Sequence, residues 1–222
     1  AILGCDVTGA KGINSSFGFY NHEPFKEFVT PWGQTVLVPE GFRTTGGNNG
    51  DLLIYPQGDL SARPSGRMAK AAYFFDAIIR QPVLEEDKLS PEDNLEEFGL
   101  FSEADLAYWS LVTRKARETG KAVIASPGGT ALGDIAHIPG IKLKNPRGIR
   151  DITEWYMSIL IRPDLVRSIF ERQTEIALEN LNRLYAAIGG QMDAIYICGT
   201  DFGTQESTFC SPEQFRELWL PS

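Results

Sequence analysis

"DAIYICGTDFGTQESTFCSPEQF", residues 193–215, passes from a short apolar run through an acid flanked by glycines into a capped helix start. The run "DAIYIC" is too short for a helix and reads as a buried strand. Beyond the loop, Ser211 is an N-cap, Pro212 occupies the first helical position and Gln214 stands at capping-box spacing. Upstream, "RPDLVRSIFERQTEIALENLNRLYAAIGG" (162–190) places Leu165, Ile169, Ile176, Leu181, Leu184 and Ile188 near a 3.6 period and ends in two glycines. The same order occurs earlier. "SEADLAYWSLVTRKARETG" (102–120) has a Ser102/Asp105 capping box and basic residues near its end, and the short strand "KAVIAS" (121–126) follows it. Helix, strand, helix, strand, helix is the pattern of parallel βα units.

Ligands of such units collect where the carboxyl ends of the strands open into loops. Two loops meet that condition. "CGTDFGTQ" offers Asp201 as a carboxylate, with Thr200 and Gln205 as orienting groups, and "SPGGTALGD" offers Asp134 at a second strand mouth. The plain alternative for Asp201 is a loop carboxylate capping neighbouring amides. "GGTALGD" lacks the Gly-Lys-Ser/Thr ending of a phosphate loop and the spacing of a dinucleotide fingerprint. His137, three residues on, is either a proton shuttle or a structural loop histidine. "GIRDITEWYMSILIRPD" (148–164) sets Arg150, Asp151, Glu154 and Tyr156 near a helix start. There Arg150 is an anion clamp or a member of a surface capping network, and Tyr156 a candidate substrate contact.

The first sixty residues read as strands and irregular chain. "QTVLVPEGF" and "DLLIYPQGD" flank "RTTGGNNG", which predicts a long-looped hairpin over 35–60. "SPEDNLEEFG" (90–99) predicts a helix capped by Ser90. "YPQGDLSARPSGRM" (55–68) holds Asp59, Arg63 and Arg67 in an ordered loop, functional or merely rigid.

Twenty-nine acidic against 21 basic residues give a net charge of −8, which repels phosphate backbones and argues against nucleic acid or an anionic membrane as partner. No apolar run reaches the roughly 18–20 residues that span a bilayer, and a cytoplasmic location is expected. Cys5, Cys198 and Cys210 lack CxxC spacing and read as reduced thiols. With His22 and His137 as its two histidines, the chain cannot assemble a three-histidine metal site. Ala1 at the start and a helix interrupted near Leu220 read as a single-domain fragment, residues 1–222.

Several segments together carry a resemblance. They are "LGCDVTGAKGINSSFGF", "PWGQTVLVPEGF", "YPQGDLSARPSGRMAKAAYFFDAIIRQ", "GGTALGDIAHIPG", "PRGIRDITEWYMSILIRPD" and "MDAIYICGTDFGTQESTFCSPEQFRELWLP". The chain resembles the uroporphyrinogen decarboxylase-like superfamily, and its methyltransferase branch most. The resemblance implies an α/β fold, a partial (β/α)8 TIM barrel whose N-terminal portion carries the β-hairpin insertion. It implies methyl transfer between a small-molecule substrate, a corrinoid protein and a thiol acceptor. Asp201 would be the catalytic acceptor or proton relay, and Thr200, Gln205, Asp134, His137, Arg150 and Tyr156 would line the substrate site. Zinc and a corrinoid are the implied cofactors, with the zinc ligands of that branch expected beyond Ser222. Two alternatives stand beside it. One is cofactor-free decarboxylation of a tetrapyrrole or small acid, whose arginine-rich signature has no counterpart here. The other is a barrel that binds a ligand without chemistry.

Overall fold

A computed structural model describes residues 4–20, 22, 24–128, 131–197 and 200–221. In chain order its strands are β1 (Val7–Lys11), β2 (Phe25–Val29), β3 (Thr35–Pro39), β4 (Thr44–Gly46), β5 (Leu52–Ile54), β6 (Gly66–Met68), β7 (Asp76–Ala77), β8 (Ala122–Ser126) and β9 (Ala194–Ile195). Its helices are α1 (Glu103–Arg117), α2 (Ile152–Ile161), α3 (Pro163–Ile188) and α4 (Pro212–Leu218). The chain divides into two compact units. The first comprises Ala1–Ile13, Phe98–Asp134 and Met157–Ser222, and the second Asn14–Glu97 and Ile135–Tyr156.

In the first unit β1, β8 and β9 form a parallel sheet in that order, with Gly9 opposite Ile124 and Ile124 opposite Ala194. Helix α1 starts where the sequence predicts: the Ser102 hydroxyl accepts from the amide of Asp105, whose carboxylate accepts from the amide of Ser102. Arg114, Lys115 and Arg117 complement the dipole at its other end. One side of the sheet is sealed by a core of Ala10, Val123 and Ala125 from the strands, Trp109 and Ala116 from α1, and Leu184 and Ile188 from α3. At the amino edge of the strands, Asp193 fixes the register with one oxygen, accepting from Val123 N and from Arg117 Nη1, both at 2.8 Å.

The second unit holds two antiparallel sheets, β2–β3 and β4–β5–β6–β7. This overturns the expected 35–60 hairpin, because β3 pairs with β2 and β5 with β4 and β6. The β2–β3 connection is a Pro31-led turn, in which Gly33 N donates to Thr30 O at 2.9 Å and Gly33 takes φ 83°. That turn followed by a left-handed residue is a hairpin signal in its own right. The turn chemistry of "RTTGGNNG" is real but closes β4 onto β5, with Asn49 at φ 59° and Gly50 at φ 82°. Gly66 is required in β6, since a Cβ there would lie 2.7 Å from both Ile54 Cγ2 and the Phe17 ring.

The helix expected over 90–99 is a single 3-10 turn, Pro91–Asn94. Ser90 bonds the Glu92 carboxylate instead of a backbone amide. Asn94 pairs with Ile149 like a strand residue, donating to its carbonyl at 2.8 Å and accepting from its amide at 2.9 Å. A distant backbone partner thus outcompetes the local helix.

The expected partial (β/α)8 barrel is also overturned. The described residues hold three parallel strands, two antiparallel sheets and four helices, which do not make a barrel that needs about eight strand–helix pairs. Among the described residues no helix is long and apolar enough to cross a membrane.

Leu184 is fully buried on α3, whereas Leu178, on the same helix, is 58% exposed. Leu184→Ala is expected to cost about 2–5 kcal/mol in urea unfolding, and Leu178→Ala less than about 0.5 kcal/mol. Equal losses would remove the assignment of α3's inner face.

Candidate functional site

Parallel pairing sets the carboxyl ends of the strands side by side: Ala10 lies opposite Ala125, and Ala125 opposite Ile195. The loops that leave β8 and β9 therefore depart from one edge of the sheet. Of the run "DAIYIC", Ala194 and Ile195 are strand, and Tyr196 N still donates to Ala125 O at 2.8 Å. Cys198, Gly199, Gly129 and Thr130 lie outside the described residues.

After β8, Ala131–Asp134 forms a turn closed by Asp134 N donating to Ala131 O at 2.9 Å. Its central residues, Leu132 and Gly133, have φ 43° and 84°. Two positive φ values in succession define the mirror-image turn class that Gly, Asn and Asp normally fill, and a leucine there costs about 1–3 kcal/mol. The turn is gripped on both sides. Gln173 Oε1, on α3, accepts from Ala131 N at 3.3 Å and Leu132 N at 2.9 Å, and Trp219 Nε1, at the end of α4, donates to Leu132 O at 2.8 Å. Asp134, the sequence candidate, closes this turn and is half-buried.

After β9, the chain folds back on itself through a bridge between Gly203 and Thr208. Thr204 N donates to Ser207 O at 2.8 Å, and Thr204 Oγ1 accepts from the amides of Glu206 and Ser207, both at 3.2 Å. Phe202 anchors the loop, its ring centroid 5.1 Å from Phe215 and 5.5 Å from Trp219. Helix α4 has the capping box read from sequence, Ser211 with Gln214. Thr200 is half-buried, while Asp201 and Gln205 are exposed on the loop. The four first-unit candidates thus sit on two loops at one sheet edge.

The other three belong to the second unit. His137 is exposed, and its carbonyl accepts from Gly140 N at 3.0 Å. Tyr156 lies half-buried on α2. Arg150 is 1% exposed, and its guanidinium is committed to the protein. It donates to Glu97 Oε1 and Arg147 O, both at 2.5 Å, to Asp93 O at 2.7 Å and to Glu96 Oε2 at 3.3 Å. The guanidinium is therefore buried in an ion-pair and carbonyl network, which is neither the expected surface capping network nor an open anion clamp. Nearby, Arg80 donates to the carbonyls of Gly140, Leu143 and Lys144. Burial, with the charges of Arg150 and Arg63 added, pushes Arg80 down to about 10, so it stays protonated at neutral pH. Asp59 accepts from Lys144, the main cause holding its carboxyl far below the usual range, and also from Ser61. Arg67 pairs with Asp51 at 2.6 Å. The 55–68 loop is therefore tied by ion pairs to residues outside it, Lys144 and Asp51.

A cavity of about 410 Å³ lies in the second unit, lined among others by Asn14, Phe19, Tyr20, His22, Glu40 and Gln57. None of the sequence candidates lines it. Among the described residues no three His, Cys, Asp or Glu side chains gather to hold a metal ion. Burial raises the Cys210 thiol above its ordinary value. The described donors do not fit zinc, and no chemical step is assigned through it.

Sequence reading missed Leu132, Gln173 and Trp219. A signal existed: Gln173 falls on the buried stripe of α3 with Val166, Ile169, Phe170 and Leu184, where a polar residue must have a specific partner.

Arg150→Met strands the buried Glu97 carboxylate and is expected to destabilise the protein by about 3–5 kcal/mol in chemical unfolding; a loss below about 1 kcal/mol contradicts the committed network. Cys210 is expected to react with iodoacetamide at pH 8 more slowly than the exposed Cys5, as peptide mass mapping would read, and equal rates would contradict its burial. The chain matches no protein-family model, no curated protein and no solved structure.

Proposed function

We propose that the chain is part of a corrinoid-dependent methyltransferase-like enzyme, in which the loops after β8 and β9 bind the group that receives the methyl. The reading keeps the resemblance of "CGTDFGTQESTFCSPEQFRELWLP" and its companion segments to that branch, and gives up the barrel. The observation that supports it is the parallel register, which brings the Asp134 loop and the Asp201 loop to the same carboxyl edge. Asp201 is the hydrogen-bond acceptor or proton relay for an acceptor thiol, with Thr200 and Gln205 orienting it and Asp134 as a second carboxylate. The partners are a small-molecule substrate and a corrinoid protein, in the cytoplasm. Decarboxylation is less well supported: gripping substrate carboxylates takes free arginines, and Arg150 is engaged by Glu97. Ligand binding without chemistry is the second reading, favoured by the cavity of about 410 Å³ in the second unit.

The test uses the full-length protein, with methylcobalamin as donor and a panel of small thiols as acceptors. Methyl transfer is expected, and Asp201→Asn should lower turnover by about 10²-fold or more. The melting temperature should hold, because Asp201 is exposed. No transfer to any thiol, or an unchanged variant, overturns the proposal; a ligand bound in the cavity without turnover would favour the second reading.

A further inference from the structure

The turn after β8 shows a conflict that its own sequence does not resolve. Leu132 sits at φ 43°, where a leucine is strained, inside a turn whose neighbour Gly133 carries the ordinary residue for such geometry. Strain of this kind persists where surrounding contacts over-determine the backbone, and it clusters at working sites. Here the contacts can be named. Gln173, 3% exposed, meets the amide side of Leu132, and Trp219 meets its carbonyl. The Trp219 indole is held in turn by Phe170 at 5.3 Å and by Phe202 at 5.5 Å. Phe202 is the residue next to Asp201, and Asp134 closes the Leu132 turn. One indole therefore touches both acid-bearing loops, bonding one by its N–H and packing the other with its ring.

We infer that Gln173 and Trp219 are positioning residues for the strand-end site. Together they hold Leu132 in its left-handed backbone, and through the Trp219–Phe202 contact they lock the Asp134 loop and the Asp201 loop into a single arrangement. The inference rests on the strand-end reading above for its role in methyl transfer. The coupling itself can be measured without any substrate. Neither residue needs to touch the ligand, since Gln173 acts through the Leu132 turn and Trp219 through Leu132 and Phe202.

The experiment is amide hydrogen exchange on the full-length protein, read by mass spectrometry. Trp219→Phe keeps a ring between Phe170 and Phe202 but deletes the indole N–H. It should speed exchange across 131–134 roughly tenfold, while peptides from β1 and α1 stay at wild-type rates. Phe202→Leu should do the same to 131–134, although the bonds that grip that turn come from Gln173 and Trp219. Adding Leu132→Gly to Trp219→Phe should restore most of the protection, because glycine adopts the left-handed backbone without strain. A merely structural tryptophan would not be rescued in this way. Unchanged exchange at 131–134 in both single variants overturns the inference, as does an increase that spreads equally to β1 and α1. In the methyl-transfer assay, turnover should fall in Trp219→Phe and recover in the double variant. The expected exchange pattern in a protein that transfers no methyl supports the clamp and overturns the functional reading instead.

Discussion

A backbone that leaves a parallel strand and stays near the core must find partners for its amides and carbonyls, and here side chains from distant helices supply them. Helix α3 shows this most clearly. Its inner face is an apolar stripe broken at two places by Gln173 and Asn180, both buried. Each would be costly if unsatisfied, and each instead binds a loop at two points. Gln173 takes the amides of Ala131 and Leu132; Asn180 takes the amide of Phe101 at 2.7 Å and gives to the carbonyl of Gly99 at 2.8 Å. The helix packs the sheet with its apolar positions and orders the loops around it with its two buried amides, Gln173 and Asn180.

The second unit solves the same problem without a helix. The segment 138–151 has little regular structure before α2, yet many of its polar backbone groups are matched. Arg80 takes three carbonyls, Gln81 donates to Gly148 O and accepts from the amides of Arg150 and Asp151, and Asn94 pairs with both groups of Ile149. These bonds span 55 or more residues of sequence. The buried Arg150 and Glu97 pair sits within this lattice, where desolvation makes a lone charge expensive and a bonded one tolerable.

What the sequence makes legible follows from this division. Capping boxes are local, so Ser102 with Asp105 and Ser211 with Gln214 stand in the structure as read. The 3.6 period of α3 and the short strand β8 are local too. Ser90 carries an equally good local signal and fails, because Asn94 is drawn to Ile149, 55 residues away. The 35–60 hairpin fails for a related reason: turn chemistry at 43–50 identifies a turn but not which strands it joins. For the candidate site, the two loops were legible from strand ends and glycines. The commitment of Arg150 and the grip on Leu132 were not, since both depend on side chains that only the tertiary fold brings near.

The Leu132 turn is close to energetic balance. Its strain of about 1–3 kcal/mol is opposed by three hydrogen bonds of about 0.5–1.5 kcal/mol each, two from Gln173 and one from Trp219. Gln173 is fixed in a 26-residue helix packed on the core. Trp219 ends a helix of only seven residues, far below the roughly 12–15 at which an isolated helix holds itself together. α4 is therefore ordered by its Ser211 cap and by the rings of Phe170, Phe202 and Phe215 around Trp219. The geometry of the Asp134 loop is thus set less by its own sequence than by how firmly α4 docks, and Phe202 makes that docking depend on the loop that bears Asp201.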